Sequence, residues 1–191
     1  MSANISIAVL CGGKSTRFGS DKAVHLVGGK PMYRYVLDKF SELSDDLFMQ
    51  VAKDNTSIEG NVKEDLVPGM GPLGGIFSAL SHASHERVFV VACDMPFLDV
   101  RIFNELVMAG DADIVVPRWR DDRTEPLCAI YSKTITPIAR RLLDGGQTRV
   151  AGLFHRVENT VYLPIDELIE QGRLEPDCFF NINEPKDLQS H

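Results

Sequence analysis

The residues with the clearest chemical potential lie near the start of the chain. An apolar run over residues 5–10 is followed by Gly12 and Gly13. Because glycine has no Cβ, this pair lets the backbone turn sharply and approach a ligand closely. Three cations and two hydroxyl side chains follow within nine residues: Lys14, Arg17 and Lys22, with Ser15 and Thr16. A buried strand that ends in glycines and opens onto cations and hydroxyls is typical of a polyphosphate site.

Two familiar phosphate-binding motifs do not fit this stretch. Residues 13–15 end like a Walker A loop, but that motif needs glycine where the chain has Ala8. The dinucleotide fingerprint fails because Gly12 and Gly13 are adjacent and the next glycine is Gly19. The alternative to a polyphosphate site is an ordinary strand-to-loop turn with solvated basic residues, and this stretch alone leaves both open.

Two aspartates lie at or near the ends of other predicted strands. Asp94 comes just after residues 87–92, which are apolar on both faces and predict a central strand. A carboxylate there is costly unless it meets a cation, and Mg²⁺ is suitable because it also binds water and phosphate oxygens. Asp65 precedes a glycine-rich loop and can accept hydrogen bonds from the N1–H and N2–H₂ edge of guanine. The structural alternatives are a turn-capping Asp94 and a solvated Asp65 at a strand end.

Two asparagines flank Ile182 near the end of the chain. Asn183, with Pro185 in the next turn, fits helix capping. Asn181 ends a predicted strand and could reach a phosphate, a metal or a second substrate. No catalytic triad or reactive-cysteine setting accompanies these residues. This absence fits attack by a phosphate monoester on the α-phosphorus of a nucleoside triphosphate, because that nucleophile is already anionic and needs alignment and charge stabilisation instead of a base.

The order of elements predicts the scaffold that holds these groups. Strands alternate with helices of about ten residues, without a repeat or a linker, which indicates one α/β domain over residues 1–191. We expect three layers around a mostly parallel sheet, with the ligand at the carboxyl ends of the strands. Residues 10–22, Asp65 and Asp94 then share one rim. The predicted strands are residues 5–10, 47–52, 62–67, 87–92, 113–117, 126–131, 157–163 and 179–182. One predicted helix starts at Pro31, and the others cover residues 76–83, 99–109, 136–143 and 150–155, followed by a terminal helix. Residues 68–75 are predicted to be irregular.

Composition excludes several classes of protein. The net charge of −7 disfavours a broad nucleic-acid or anionic membrane surface. No apolar run reaches the roughly 18–20 residues of a membrane span, and no signal-peptide pattern is present. The cysteines are scattered without a C-x-x-C pair and are expected to be reduced thiols in a cytoplasmic protein. The four cysteines are Cys11, Cys93, Cys128 and Cys178.

Taken together, the motifs resemble those of molybdenum cofactor guanylyltransferases, a family of Rossmann-like, three-layer nucleotidyltransferases. Residues 10–22 read L-C-G-G-K-S-T-R-F-G-S-D-K and resemble the signature L-A-G-G-x-S-x-R-M-G-x-D-K. The chain departs from the family pattern at Cys11, Phe18 and Glu184, none of which removes a charged or metal-binding group. Further matching segments, in the family's order, are residues 28–32, 71–76, 94–98, 125–129 and 181–188.

The resemblance implies transfer of GMP from Mg-GTP to the terminal phosphate of molybdenum-loaded molybdopterin, with pyrophosphate as the other product. It assigns catalysis to Arg17, Lys22 and Asp94, with Asp94 as the Mg²⁺ ligand and Asp65 on the guanine. It also implies other molybdenum cofactor pathway proteins and target molybdoenzymes as partners. The nucleotide-binding residues implied in this way are Leu10, Cys11, Gly12, Gly13, Ser15, Lys22, Lys53, Asp65, Gly74, Asp94, Asn181 and Asn183.

Three other functions remain to be weighed. The cytidylyltransferase of the same cofactor pathway has L-A-A-G in its loop, and Gly12 stands where that second alanine would be. A nucleotide-sugar pyrophosphorylase would use the same scaffold. A GTP-binding module without turnover would not need to keep both Lys22 and Asp94. The sequence does not rank four candidates for the pterin site: Arg118, Arg120, Arg123 and Arg149.

Overall fold

A computed structural model describes residues 4–12, 22–52, 55 and 57–182 of the chain. Its main feature is a seven-stranded sheet, and a separate two-stranded hairpin precedes the first helix. The nine strands are β1 (Ser6–Leu10), β2 (Leu26–Val27), β3 (Lys30–Pro31), β4 (Leu47–Val51), β5 (Val62–Glu64), β6 (Arg87–Ala92), β7 (Ile114–Arg118), β8 (Cys128–Ser132) and β9 (Thr160–Pro164). The six α-helices are α1 (Met32–Phe40), α2 (Gly71–His82), α3 (Arg101–Met108), α4 (Thr136–Asp144), α5 (Ala151–Phe154) and α6 (Ile165–Glu170). Single 3₁₀ turns cover Lys22–Val24 and Lys133–Ile135.

The large sheet has the order β5-β4-β1-β6-β8-β7-β9. Strands β5, β4, β1 and β6 are parallel to one another, β8 is antiparallel to both β6 and β7, and β9 is parallel to β7. The predicted α/β class with a mostly parallel sheet is therefore confirmed, as is the central position of β6. The reversal at β8 has a consequence for the site: the start of β8 lies at the same edge of the sheet as the end of β6.

Apolar residues on both faces of the central strands explain the three layers. Along β1, Ile7 and Val9 face a core that includes residues of α1, α3 and α6. Ala8 and Leu10 face the opposite core, formed largely with α2 and α4. Successive side chains in a strand point to opposite faces, so an unbroken apolar run is required when helices cover both sides. No helix in the described part of the chain is long and apolar enough to cross a membrane.

The glycine-rich segment corrects one prediction. Residues 68–75 were expected to be irregular, but α2 already begins at Gly71. Pro72 lies in the first turn of the helix, where a backbone N–H has no intrahelical partner in any case, so proline is tolerated. The positive φ of Gly69 and Gly71, +78° and +60°, shows that the turn into the helix needs glycine conformations.

Other differences concern short elements. Residues 179–182 were predicted to be a strand, which was wrong: Phe180 closes a turn onto Asp177, and Ile182 donates its N–H to Asp94 O at 3.0 Å. The hairpin of β2 and β3 and helix α6 were not predicted. At the end of α3, Met108 is 67% exposed, whereas Ala109, directly after the helix, packs against the core. The predicted terminal helix lies outside the described residues.

Candidate active site

The ends of the parallel strands bring the predicted site segments together at one rim. Strand β1 leads into Leu10, Cys11 and Gly12 between its neighbours β4 and β6. The Cys11 N–H donates to Gln50 O at 2.7 Å on one side, and the Cys93 N–H donates to Leu10 O at 3.1 Å on the other. These hydrogen bonds continue the sheet beyond β1 and hold the start of the glycine loop next to the end of β6. Gly12 is exposed at this rim, whereas Leu10 and Cys11 are buried.

Lys22 and Asp94 meet at this edge. The Lys22 ammonium donates a hydrogen bond to Asp94 Oδ2 at 2.8 Å, and the two side chains are 15% and 27% exposed. Lys22 is positioned by the 3₁₀ turn that it starts, and Asp94 by the turn directly after β6. Because partial burial reduces solvent screening, this pair is stronger than a fully exposed one. Lys22 and Asp94 therefore lie at one rim, as predicted, and they form a direct ion pair there.

Asp65 lies against Gly12, on the side of β1 that faces β4 and β5 and away from β6. Its N–H donates to Val51 O at 2.9 Å, which places it just beyond β5 at the same rim. A Cβ on Gly12 would lie 3.3 Å from Asp65 Oδ2, so the loop passes close to the carboxylate and residue 12 has little room for a side chain. Burial raises the pKa of Asp65, and a hydrogen bond from Gln50 and the nearby His82 act in the opposite direction.

Gln50 holds the Asp65 carboxylate and was not among the predicted site residues. Its Nε2 donates to Asp65 Oδ1 at 2.6 Å and to Gly75 O at 2.9 Å. The residue is 1% exposed. A glutamine in an otherwise apolar strand, Leu-Phe-Met-Gln-Val, was the sequence signal that could have found it.

The glycines of α2 have packing functions. Gly74 is buried, and its N–H is already bonded to Met70 O at 3.2 Å. A Cβ there would lie 2.9 Å from Met70 Cβ. A Cβ on Gly75 would lie 3.1 Å from Leu10 Cδ1. Gly74, predicted to touch the nucleotide, thus allows the first turn of α2 to pack tightly beside the site.

A second carboxylate, Glu125, lies near enough to Asp94 to interact with it electrostatically. Strand β8 runs antiparallel to β6 with Cys128 opposite Val91, and Glu125 begins the turn just before β8, in which the Cys128 N–H donates to Glu125 O at 3.0 Å. Glu125 Oε1 accepts a hydrogen bond from Trp119 Nε1 at 2.7 Å. Burial raises the pKa of Glu125, and repulsion from Asp94 adds to this effect, while Trp119 and Arg123 oppose it. Sequence reasoning missed Glu125 because it assumed that site residues follow strands instead of preceding them.

Asn181 approaches Asp94 from the C-terminal segment. The backbone link from Ile182 to Asp94 O fixes this segment beside β6, and Phe179 packs on Trp119 with ring centroids 5.7 Å apart. The Asn181 Oδ1 atom is buried and has no hydrogen-bond partner within the part of the chain that the structure describes. A buried acceptor without a donor is costly, so this atom is a candidate to bind a ligand or an ion.

Five of the predicted site residues lie outside the described residues: Gly13, Ser15, Arg17, Lys53 and Asn183. Within the described ranges, the structure forms no group of three or more His, Cys, Asp or Glu side chains that could hold a metal. Asp94 has a carboxylate, and Asn181, next to the residue whose N–H bonds Asp94 O, has an amide oxygen; both are groups that bind Mg²⁺. Three of the four arginine candidates for the pterin site are in ion pairs: Arg118 with Asp122 at 3.7 Å, Arg120 with Glu170 at 2.6 Å and Arg123 with Asp121 at 2.7 Å.

Two of the cysteines, Cys128 and Cys178, are poor candidates for a nucleophile. All four cysteines are buried, and none of them forms a disulfide. Burial raises the pKa of Cys178 to about 12 and that of Cys128 well above its usual value. A thiol that stays protonated at neutral pH is a poor nucleophile. The chemistry that the described rim supports is therefore binding, alignment and stabilisation of negative charge.

A rim of parallel strands at which Gly12, Asp65 and a lysine–aspartate pair lie together fits a nucleotidyltransferase, and the comparisons with known proteins place the chain in this class of enzyme. Residues 7–159 match the family described as MobA-like NTP transferase domain. The chain belongs to this family.

Relatives and solved structures agree with this assignment. A protein of Thermococcus gammatolerans named probable molybdenum cofactor guanylyltransferase is 34% identical to this chain. The alignment is 191 positions long and covers 95% of each of the two chains. The crystal structure of molybdopterin-guanine dinucleotide biosynthesis protein A from Archaeoglobus fulgidus superposes with a TM-score of 0.83 at 29% identity, covering 97% of this chain and 96% of that one. The 2-C-methyl-D-erythritol 4-phosphate cytidylyltransferase of Thermus thermophilus, at 14% identity, has a TM-score of 0.70 and covers 97% and 96% of the two chains; it shares the fold.

Proposed function

We propose that this nucleotidyltransferase transfers GMP from Mg-GTP to the terminal phosphate of molybdopterin, in its molybdenum-loaded form, and releases pyrophosphate. The observation that carries the proposal is the 2.8 Å contact between Lys22 and Asp94 on the rim where Asp65 lies against Gly12. One side of this rim presents a cation and a carboxylate to phosphates, and the other presents a hydrogen-bond acceptor to a base. The names of the relatives support guanine and molybdopterin as the two substrates.

In this reaction an oxygen of the acceptor phosphate attacks the α-phosphorus of GTP. The new phosphorus–oxygen bond forms as the bond to the β-phosphate breaks, and pyrophosphate leaves. Lys22 stabilises the negative charge that develops on the transferred and leaving groups. The acceptor oxygen is already anionic, so the site needs no general base.

We propose Mg²⁺ as the metal, because divalent metals are typical of this family of enzymes. Asp94 and Asn181 would hold it through oxygen atoms, and Lys22 would orient the Asp94 carboxylate. When bound, the ion supplies positive charge that stabilises the phosphates and the leaving group. Arg17 is proposed to assist Lys22. We also propose that the chain forms a single domain and that it is cytoplasmic. Its proposed partners are other proteins of the molybdenum cofactor pathway and target molybdoenzymes.

Asp65 favours guanine over cytosine as the base. Guanine offers two adjacent donors, N1–H and N2–H₂, to one carboxylate, whereas cytosine does not. The close approach of Gly12 to Asp65 Oδ2 also leaves little room for the alanine that the cytidylyltransferase signature has at this position. Both observations favour the guanylyltransferase over its nearest alternative.

A pyrophosphate-release assay tests the proposal. The purified chain is incubated with Mg²⁺ and each of GTP, CTP, ATP and UTP, with and without molybdopterin. We expect release with GTP that depends on molybdopterin. Equal release with CTP, or release of pyrophosphate that needs a sugar phosphate instead, would contradict the proposal in favour of a cytidylyltransferase or a nucleotide-sugar pyrophosphorylase.

A further inference from the structure

Gln50 is a buried link between Asp65 and helix α2. It lies near the end of β4, paired with Leu10 of β1 on one side and Lys63 of β5 on the other. Its amide nitrogen reaches both Asp65 Oδ1 and Gly75 O, at 2.6 and 2.9 Å. One side chain therefore ties the predicted base-binding carboxylate to the first turn of α2.

The orientation of this amide is fixed by its neighbours. Gly75 O is a backbone carbonyl and can only accept, so the nitrogen and not the oxygen of the Gln50 amide must face it. Both amide protons are then used, one for each acceptor. The Oε1 atom of Gln50 is buried and has no hydrogen-bond partner among the described residues.

The unpaired oxygen of Gln50 lowers the stability of the folded chain. A leucine or methionine would fill a buried strand position without leaving an acceptor unsatisfied. Glutamine can be favourable here only through the hydrogen bonds that its amide nitrogen donates, and the shorter of these two bonds goes to Asp65. A hydrogen bond to a charged group is also stronger than one between neutral groups.

We propose that Gln50 is a positioning residue for base selection: it holds Asp65 Oδ1, so that Oδ2, the oxygen beside Gly12, stays available as an acceptor for the guanine edge. The inference rests on the proposed function and deepens it, since it assigns specificity to a residue that acts through Asp65. Without Gln50 the carboxylate is free to rotate, and burial favours its protonated form, which offers a donor where guanine needs an acceptor.

Ser78 provides a matched control in the same region. Its hydroxyl is completely buried, donates to Gly74 O at 2.9 Å and accepts from the Leu66 N–H at 3.0 Å. It therefore ties the residue after Asp65 to α2, as Gln50 does, but the structure shows no bond from it to the carboxylate. A loss of local rigidity affects both variants, whereas a loss of carboxylate positioning affects only the Gln50 variant.

The test measures equilibrium binding of GTP and ITP to the full chain with Mg²⁺. ITP lacks the exocyclic amine but is otherwise the same ligand, so the ratio of the two dissociation constants reports recognition of the N2 edge. We expect the wild type to prefer GTP, Gln50→Met to lose about tenfold of that preference, and Ser78→Ala to keep it with a lower Tm. If Gln50→Met does not fold, Gln50→Leu replaces it, because it is also apolar and has no group that can donate to Asp65; the same loss is expected.

Each remaining outcome rejects a distinct claim. If the wild type prefers GTP and a folded Gln50 variant keeps the full preference, Gln50 does not position Asp65 and the inference is wrong, while the proposed function stands. If Ser78→Ala loses as much preference as Gln50→Met, the effect is general loosening and the inference is also wrong. If the wild type binds GTP no better than ITP, CTP or ATP, the proposed function fails and takes the inference with it.

Discussion

Lys22 Nζ and Asp94 Oδ2 lie 2.8 Å apart although 72 residues separate them in the chain. Lys22 comes after β1 in the chain and Asp94 comes directly after β6, and these two strands are neighbours in the sheet. The contact therefore depends on the parallel pairing of β1 with β6. It brings together, at one rim, a cation suited to phosphates and a carboxylate suited to a metal.

Removing the cation tests the lysine. In Lys22→Ala, we expect kcat with GTP to fall about 100-fold or more, because a largely buried charge that stabilises the transferred group is lost. The fold should persist, since one partly exposed pair contributes little to stability. Steady-state kinetics and a thermal melt check both statements. Arg140→Ala, which breaks an exposed pair with Asp144 on α4, is the control and should keep wild-type activity; a Lys22 variant with normal kcat would falsify the assignment.

Neutralising the carboxylate tests the proposed metal ligand. Asp94→Asn keeps the volume and removes the charge, so we expect both activity and its dependence on added Mg²⁺ to be lost. Activity is measured in a Mg²⁺ titration after treatment with a chelator. A variant that Mg²⁺ still activates to the wild-type level would show that the ion is held elsewhere.

Asp99→Asn is the matched control for that experiment. Burial alone would raise the pKa of Asp99, but hydrogen bonds from Arg101 outweigh it and lower the pKa below the usual 3.8. A lowered pKa means that the carboxylate stabilises the fold above pH 3.8 and that this contribution disappears as the pH falls through the lowered value. We expect normal activity, with a Tm below that of the wild type at pH 7 and a smaller difference under acid conditions.

We expect the ionised Asp65 carboxylate to reduce the stability of the fold. Because burial raises its pKa above 3.8, the folded chain binds a proton more tightly than the unfolded one, and ionisation penalises the fold at neutral pH. Asp65→Asn should therefore melt at a higher temperature than the wild type at pH 7, and the gap should close as the pH falls to about 3.8 and below. The same variant should lose selectivity for GTP over CTP and ATP. Thermal melts over pH and a nucleotide panel measure the two effects; unchanged selectivity would remove guanine recognition from Asp65.

Glu125, the second carboxylate near Asp94, allows a similar test of how burial affects stability. Its pKa is raised above 4.5 by burial and by Asp94, so its charge destabilises the fold at neutral pH. Glu125→Gln keeps an acceptor for Trp119 Nε1 and should be more stable than the wild type at pH 7, with no gain below about pH 4.5. Glu125→Leu should instead lose about 1–3 kcal/mol, because the indole N–H loses its partner. A Glu125→Gln variant that is less stable at pH 7 would contradict this account.

The sequence was most informative where one interaction dominated. Residues 87–92 are apolar on both faces, so burial alone was enough to predict β6 with its observed bounds. Asp94 was then identified as a carboxylate at the end of a buried strand, where solvation is poor. The same reasoning placed Asp65 and Lys22 on the common rim.

The missed features depend on contacts between distant parts of the chain. Composition indicated a break at residues 68–75, yet Pro72 is acceptable in a first helical turn and α2 starts there. Glu125 enters the site because β8 is antiparallel, a direction that the local pattern does not encode. Gln50 acts through Asp65 and Gly75, and only the pairing of β4 with its neighbours reveals that link.

The most direct test of the central claim follows the phosphorus atoms of GTP. The enzyme is given Mg²⁺, molybdopterin and GTP labelled at either the α- or the γ-phosphate, and the products are separated. We predict that the α-label appears in a molybdopterin–GMP product and the γ-label in pyrophosphate, with neither transfer in Asp94→Asn. Release of the γ-label as inorganic phosphate, with the α-label left in GDP, would contradict the account.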